Sequence, residues 1–232
     1  MRLNLYISRC GLCSRRKADE YIFAGRVKVD GIVAKFPWLD IKEDQTVEVD
    51  NKKIVPLKKV YAILNKPAGF ICTLKDKFAS KNITALFPPR CGRLYPVGRL
   101  DKNTRGLLIL TNDGDFANRV LHPRFQVEKE YLLEVHPPFR KCDISKVRKG
   151  VKDAQDILRV KKVVIESSYR GSLLRVVVQE GKKRHLRRLF QSLGYRVSDL
   201  KRIRIGGLRL GNLKEGEFKF LDAKDVCRVF EK

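Results

Sequence analysis

The chain has 232 residues, 43% hydrophobic and 33% charged, which is enough apolar material and length for a small domain plus a medium one. Lys and Arg number 51 against 26 Asp and Glu, a net charge of +25 that favours a polyanionic partner, because phosphate contacts release counterions. No stretch approaches the roughly 18 to 20 apolar residues of a membrane helix, and Met1-Arg2-Leu3-Asn4-Leu5 has no apolar core or cleavage site of a secretory signal, so a cytoplasmic protein without membrane attachment is expected.

Residues 2 to 9 read as a short helix closed by Gly11. Ser14 is a good N-cap for a second helix, Arg15 to Ala24, with Ala18, Tyr21 and Ile22 at helical spacing and Gly25 at its end. Arg26 to Val29 alternates like a strand, Asp30-Gly31 is a hairpin signal, and Thr46 to Val49 alternates again. Asn51 to Lys59, rich in lysine and broken by Pro56, reads as a domain edge. The expected division is therefore residues 1–57 and 60–232.

Beyond it the texture changes. Val60 to Leu64 is a strand candidate stopped by Asn65-Lys66-Pro67, and Gly69 to Thr73 is another. Gly106 to Thr111 is a near-continuous apolar run, as in a central buried strand, and Asn112-Asp113-Gly114 turns it into a helix carrying Phe116, Ala117, Val120 and Leu121. Further strands are expected at 130–135, 157–166, 173–179, 202–205, 208–210 and 218–221. An amphipathic helix places Leu186, Leu189, Phe190 and Leu193 inward and Arg184, Arg187 and Arg188 on another face, with Gly194 as C-cap. The larger domain reads as α+β with few helices and many strands.

The six cysteines, at 10, 13, 72, 91, 142 and 227, carry no zinc spacing, because Cys10 and Cys13 have no second Cys or His pair. Buried free thiols are expected.

Two segments carry chemistry. The helix after Ser14 opens on Arg15, Arg16 and Lys17. Cations are unfavourable at a helix N-terminus unless an anion compensates, and the unpaired amides there already attract phosphate; a basic surface helix is the plain alternative. In Tyr95 to Gly106, Asp101 sits among Arg99, Lys102 and Arg105 in a loop that feeds the buried strand. A carboxylate so placed can serve as nucleophile or base at a uracil glycosidic bond, although an Asp in a turn is more often structural.

Gly11 to Ala18 together with Gly25-Arg26-Val27-Lys28-Val29-Asp30-Gly31 resembles the alpha-L RNA-binding domain, over about residues 2–54. That resemblance implies a small two-helix plus twisted-sheet module with Arg15, Arg16, Lys17, Arg26 and Lys28 toward RNA.

Gly98-Arg99-Leu100-Asp101, then Thr104-Arg105-Gly106-Leu107-Leu108 and Thr111-Asn112-Asp113-Gly114, resembles the signature of pseudouridine synthases of the small-subunit pseudouridine synthase A family, with its large-subunit relatives. Asn65 to Gly69, Glu128 to Tyr131, Glu180 to Phe190 and Leu200-Lys201-Arg202 agree in order, over about residues 60–222.

The resemblance implies a mostly antiparallel mixed sheet and the isomerisation of uridine to pseudouridine in ribosomal RNA or a pre-ribosomal particle, by a monomer with no metal or organic cofactor. It makes Asp101 the catalytic aspartate, has Tyr131 stack on the base and assist proton removal from carbon 5, and has Arg187 ion-pair with Asp101. Leu200, Arg99 and Lys66 fall in the base pocket, Arg99 taking the space of the flipped nucleotide. Arg184 and Arg188 are expected to meet RNA.

His185 and Lys183 stand where many relatives carry Gln and Asn, which bears on RNA contacts rather than chemistry. Asp101 either attacks the ribose anomeric carbon or first removes a ribose proton. A ribosomal-RNA-binding or assembly protein without catalysis, and a metal-dependent nuclease built on Asp101, Asp113 and Asp115, are the rival readings. The Leu121-His122-Pro123 run slightly favours a large-subunit target.

Overall fold

The computed structural model describes residues 1–73, 81–87, 92–154 and 156–231. Its contacts divide the chain into two units, Met1–Val60 and Tyr61–Lys232.

In the first unit α1 (Leu3–Arg9) and α2 (Arg15–Phe23) precede β1 (Val27–Val29), β2 (Ile32–Val33), β3 (Val47–Val49) and β4 (Lys52–Ile54). Ser14 caps α2, its Oγ accepting from the Lys17 backbone N–H at 3.2 Å. The strands form an antiparallel sheet in the order β2-β1-β3-β4. Asp30-Gly31 and Asp50-Asn51 have positive φ at both positions, which two-residue hairpins need in order to follow the strand twist. Leu3, Ile7, Ala18, Ile22, Val27 and Val47 are buried together, each large aliphatic contributing about 1.5–3 kcal/mol.

The second unit runs β5 (Tyr61–Lys66), β6 (Tyr95–Pro96), β7 (Arg105–Thr111), α3 (Gly114–Leu121), β8 (Lys129–His136), α4 (Asp143–Lys149), β9 (Val151–Lys152), β10 (Ile157–Leu158), β11 (Lys162–Ser168), β12 (Ser172–Val178), α5 (His185–Gln191), β13 (Arg196–Ile205), β14 (Leu208–Arg209), β15 (Phe218–Phe220) and α6 (Ala223–Arg228). Its 9-stranded sheet has the order β11-β12-β8-β13-β7-β5-β15, with β14 on β13 and β6 on β7. Every described pairing in it is antiparallel except β13 with β7, where Lys201 faces Arg105 and Arg202 faces Gly106. Gly106 is required there, because a Cβ on it would stand 2.2 Å from the Arg202 carbonyl oxygen.

One apolar cluster gathers β8, β12, α4 and α5 around Leu133, Val147, Leu174, Leu189 and Phe190. The other gathers β5, β7 and α3 around Ile63, Leu107, Ile109 and Val120. Strand β13 gives Leu200 to the first and Ile205 to the second, so the clusters meet along β13 and β7.

The α+β expectation, a small two-helix and twisted-sheet unit before a larger, mostly antiparallel mixed sheet, describes this architecture. Individual elements differ. β5 continues through Asn65 and Lys66 and stops at Pro67, which has no N–H to give a ladder. Gly69 to Thr73 is not a strand; Ile71 alone bridges Asn82. β13 begins at Arg196, six residues before the expected 202. Among the cysteines Cys13 and Cys72 are buried, but Cys142 and Cys227 are exposed; Cys91 lies outside the described residues. No helix among the described residues is long and apolar enough to cross a membrane.

Candidate active site

The loop from Val97 to Thr104 joins β6 to β7 and carries Asp101. Its start is tied to β7 by the Val97 N–H on the Ile109 carbonyl at 2.8 Å, and its end is closed by the Thr104 N–H on the Asp101 carbonyl at 3.0 Å. Leu100 is buried, and its N–H donates to the Cys72 Sγ at 3.4 Å.

From below, the fully buried Lys66 ammonium donates to three carbonyls, Pro67 O at 2.9 Å, Lys102 O at 3.1 Å and Thr104 O at 2.7 Å. Two of these, Lys102 and Thr104, lie just after Asp101 in the loop. Burial pushes the Lys66 ammonium below its usual range, while Cys72 and the carboxylates of Asp101 and Glu215 oppose that shift. Lys66 is thus a strut beneath the loop, not a wall of the base pocket as expected from sequence.

The carboxylate of Asp101, half-buried, faces a cleft of ≈ 700 Å³. Tyr131 from β8, Leu200 from β13, Val178 at the end of β12, and Leu186 from α5 line the same cleft, with Arg99 and Arg184 exposed at its rim. Tyr131 and Leu200 meet because β8 pairs with β13, Leu133 facing Leu200 and Tyr131 facing Arg202. The lining is apolar at Tyr131, Val178, Leu186 and Leu200 and cationic at Arg99, Lys102, Lys183 and Arg184.

Arg187 on α5 is half-buried, and its Nη1 donates to Val197 O at 2.9 Å and its Nη2 to Asn103 O at 3.2 Å. Burial and Arg184 lower its tendency to hold a proton; Asp101 and Asp199 raise it. The expected direct ion pair with Asp101 is replaced by this carbonyl contact. Arg187 holds the carboxylate's loop two residues downstream, and its charge reaches Asp101 through space.

Arg188 is a second correction. Its guanidinium pairs with Asp153 and Asp156 and donates to Lys183 O. A side chain so engaged ties the segment before β10 to α5 and is not free to meet RNA. His185 is turned inward, 5% exposed, its Nε2 against the Arg159 carbonyl at 2.9 Å.

In the first unit Arg15 and Arg16 project from the start of α2, both exposed. Lys17 pairs with Glu20. Arg26 chelates Asp50 and lies 4.1 Å from the Tyr21 ring centroid, and Lys28 donates to Asn51 at 3.0 Å.

Sequence reading missed two neighbours of the site, Cys72, which lines the cleft, and Arg202, whose Nη1 reaches the Tyr131 hydroxyl at 3.5 Å. Had β13 been read from Arg196, period-2 alternation would have put Arg202 on the face of Leu200. Among the described residues no group of three or more His, Cys, Asp or Glu side chains is placed to hold a metal ion.

The family profile described as RNA pseudouridylate synthase matches residues 60–192, and that of the S4 domain matches residues 1–53. The chain is 34% identical to ribosomal large subunit pseudouridine synthase B of Bacillus subtilis, over 98% of this chain and 95% of that protein. It is also 34% identical to the dual-specificity RNA pseudouridine synthase RluF of Escherichia coli, over 100% of this chain and 79% of that one. A crystal structure of a pseudouridylate synthase superposes with a TM-score of 0.71 at 26% identity, covering 99% of both chains. The chain, with an S4 domain over residues 1–53 and a cleft lined by Asp101 and Tyr131 in its second unit, therefore belongs to the RNA pseudouridylate synthase family.

Proposed function

We propose that the protein isomerises a uridine of ribosomal RNA to pseudouridine, with Asp101 as the catalytic carboxylate acting on a base flipped out of its stack. The observation that carries this reading is the gathering of Asp101, Tyr131 and Leu200 around one cleft, with the Asp101 loop clamped by Lys66. A clamped loop holds the carboxylate at the ribose without reorganising during reaction. The isomerisation breaks the bond from the anomeric carbon to N1, turns the base, bonds the same carbon to C5, releases the C5 proton and returns one proton to N1. Atoms and oxidation state balance within the nucleoside, so no external nucleophile or redox partner is needed.

Leu200 supplies an apolar contact for the extruded ring, and Arg99 stands at the rim where it can fill the vacated stack. Arg15, Arg16, Lys28 and Arg184 supply phosphate contacts, while Arg26 is held by Asp50. A large-subunit ribosomal RNA is the favoured target, in keeping with the name of the Bacillus subtilis relative, and the working unit is a monomer.

Asp101→Asn tests the assignment. The variant is expected to bind ribosomal RNA as the wild type does and to lose pseudouridine formation by about 10²–10⁴-fold or more. Full modification by that variant would remove Asp101 from the chemistry. Pseudouridine mapping in both ribosomal RNAs of a strain lacking the gene identifies the target.

A further inference from the structure

Arg202 is 5% exposed and lies in the middle of the sheet, on β13 between β8 and β7. Its Nε donates to Leu107 O at 2.7 Å, its Nη1 reaches the Tyr131 hydroxyl at 3.5 Å, and its Nη2 is buried with no hydrogen-bond partner among the described residues. The guanidinium carbon is 6.0 Å from the Tyr131 ring centroid.

Two residues before Tyr131 on β8, Lys129 is 8% exposed and donates to Val120 O at 3.3 Å. Burial, reinforced by the Arg202 charge, pushes this ammonium down to about 8. Two cations are thus buried behind the cleft, and among the described residues neither has a carboxylate partner. Such an arrangement is costly for stability. Satisfying the Leu107 carbonyl uses one N–H of Arg202, and a neutral donor could supply that one.

We propose that Arg202 is a positioning residue for Tyr131, holding the phenol oxygen from behind for proton transfer at carbon 5 of the base. The inference rests on the pseudouridine-forming reading of the cleft. After carbon 5 has bonded to the ribose, its proton passes to the Tyr131 oxygen in the phenolate form. The C–H electron pair becomes the carbon 5–carbon 6 double bond as the N1–carbon 6 double bond opens onto N1, N1 takes up a proton, and the phenol then releases its own proton to solvent. A cationic donor behind the oxygen stabilises the negative charge it carries in this step. The 3.5 Å separation is long for a hydrogen bond and shortens when the base seats against Tyr131, as catalytic contacts commonly do on substrate binding.

The test is a double-mutant cycle read by single-turnover pseudouridine formation on unmodified, in vitro transcribed large- and small-subunit ribosomal RNA. Arg202→Met is expected to slow the reaction about 10²-fold without weakening RNA binding, and Arg202→Lys to restore most of the rate. In a Tyr131→Phe background the same Arg202→Met change is expected to cost less than about 3-fold, because the two residues act as a unit.

An equal loss in both backgrounds, or a rate loss matched by lost RNA binding, overturns the proposal. If Arg202→Met does not fold, as judged by urea unfolding, Arg202→Gln carries the cycle with the same criteria. Wild-type activity abolished by Asp101→Asn but indifferent to the Arg202–Tyr131 coupling sinks this inference alone. No pseudouridine from the wild type on either RNA sinks the functional reading and the inference with it.

Discussion

Lys66 is the side chain on which the Asp101 loop rests. It is fully buried, and its three carbonyl partners take the whole donor capacity of an ammonium. Methionine has a similar stem and no donors. Lys66→Met is therefore expected to leave the Lys102 carbonyl with its Gly69 N–H alone and to strip the ammonium from those of Pro67 and Thr104. The expected cost is about 2–4 kcal/mol, read as a lower urea midpoint at unchanged slope. Pseudouridine formation should fall further than stability does, because the loop that loses its strut carries the carboxylate. A variant as stable as the wild type would mean that water replaces the ammonium there. Arg187 acts on the same loop from the other side, through the Asn103 carbonyl, so the two cations position Asp101 by holding backbone rather than by touching the carboxylate.

Helix α4 shows what a buried acid does for an element too short to stand alone. Asp143 opens the helix, and its carboxylate is held by Lys146 at 2.7 Å, the Tyr195 hydroxyl at 2.6 Å and Arg140 at 3.0 Å. The Lys146 and Tyr195 contacts, with Arg140 behind them and burial opposing, lower it to about 2. The folded form thus binds this proton less readily than the unfolded chain. The stabilisation is complete above about pH 4 and is lost as pH falls from about 4 to about 2. Asp143→Asn is expected to lower the urea midpoint at pH 7 and to leave a smaller difference at pH 2.5; a gap that is constant across pH would contradict the assignment.

This helix was not legible in the sequence, since Asp143-Ile144-Ser145-Lys146-Val147 offers one turn of apolar spacing and no strong N-cap. β13 was read too short for a different reason. Its register shifts between Val197 and Asp199 and again between Arg202 and Arg204, so bulges break the period-2 pattern, and a buried arginine stands where an apolar residue would signal a strand. β5 hid its end likewise. Asn65 and Lys66 look like a polar stop, yet the Asn65 Nδ2 is satisfied by Leu213 O at 2.7 Å and Lys66 by the loop. β7, with no polar residue from Gly106 to Leu110, was legible throughout.

At the scale of the whole molecule some of the 51 Lys and Arg side chains are engaged by the 26 Asp and Glu, which leaves the net charge of +25 unchanged. Arg175 and Arg204 pair with Glu130, Arg204 and Lys161 with Glu128, and Arg188 with Asp153 and Asp156. What remains for RNA includes Arg15 and Arg16, which are exposed and pair with no carboxylate among the described residues. Replacing both by Ala should reduce the slope of log affinity against log salt by about 1.4–1.8, two phosphate contacts at roughly 0.7–0.9 each, measured by anisotropy on a ribosomal RNA fragment. An unchanged slope would place the S4-type module's contacts elsewhere.

The sequence by itself determined the family, the fold class and the order of motifs, because hydrophobic period, turn chemistry and short motifs are local properties of the chain. Only the tertiary structure decided which charged side chains turn inward. Lys66 found the Thr104 carbonyl 38 residues away, Arg202 the Leu107 carbonyl 95 residues away, and Arg188 its acids more than 30 residues upstream. A cation is buried or exposed according to partners that only folding brings to it.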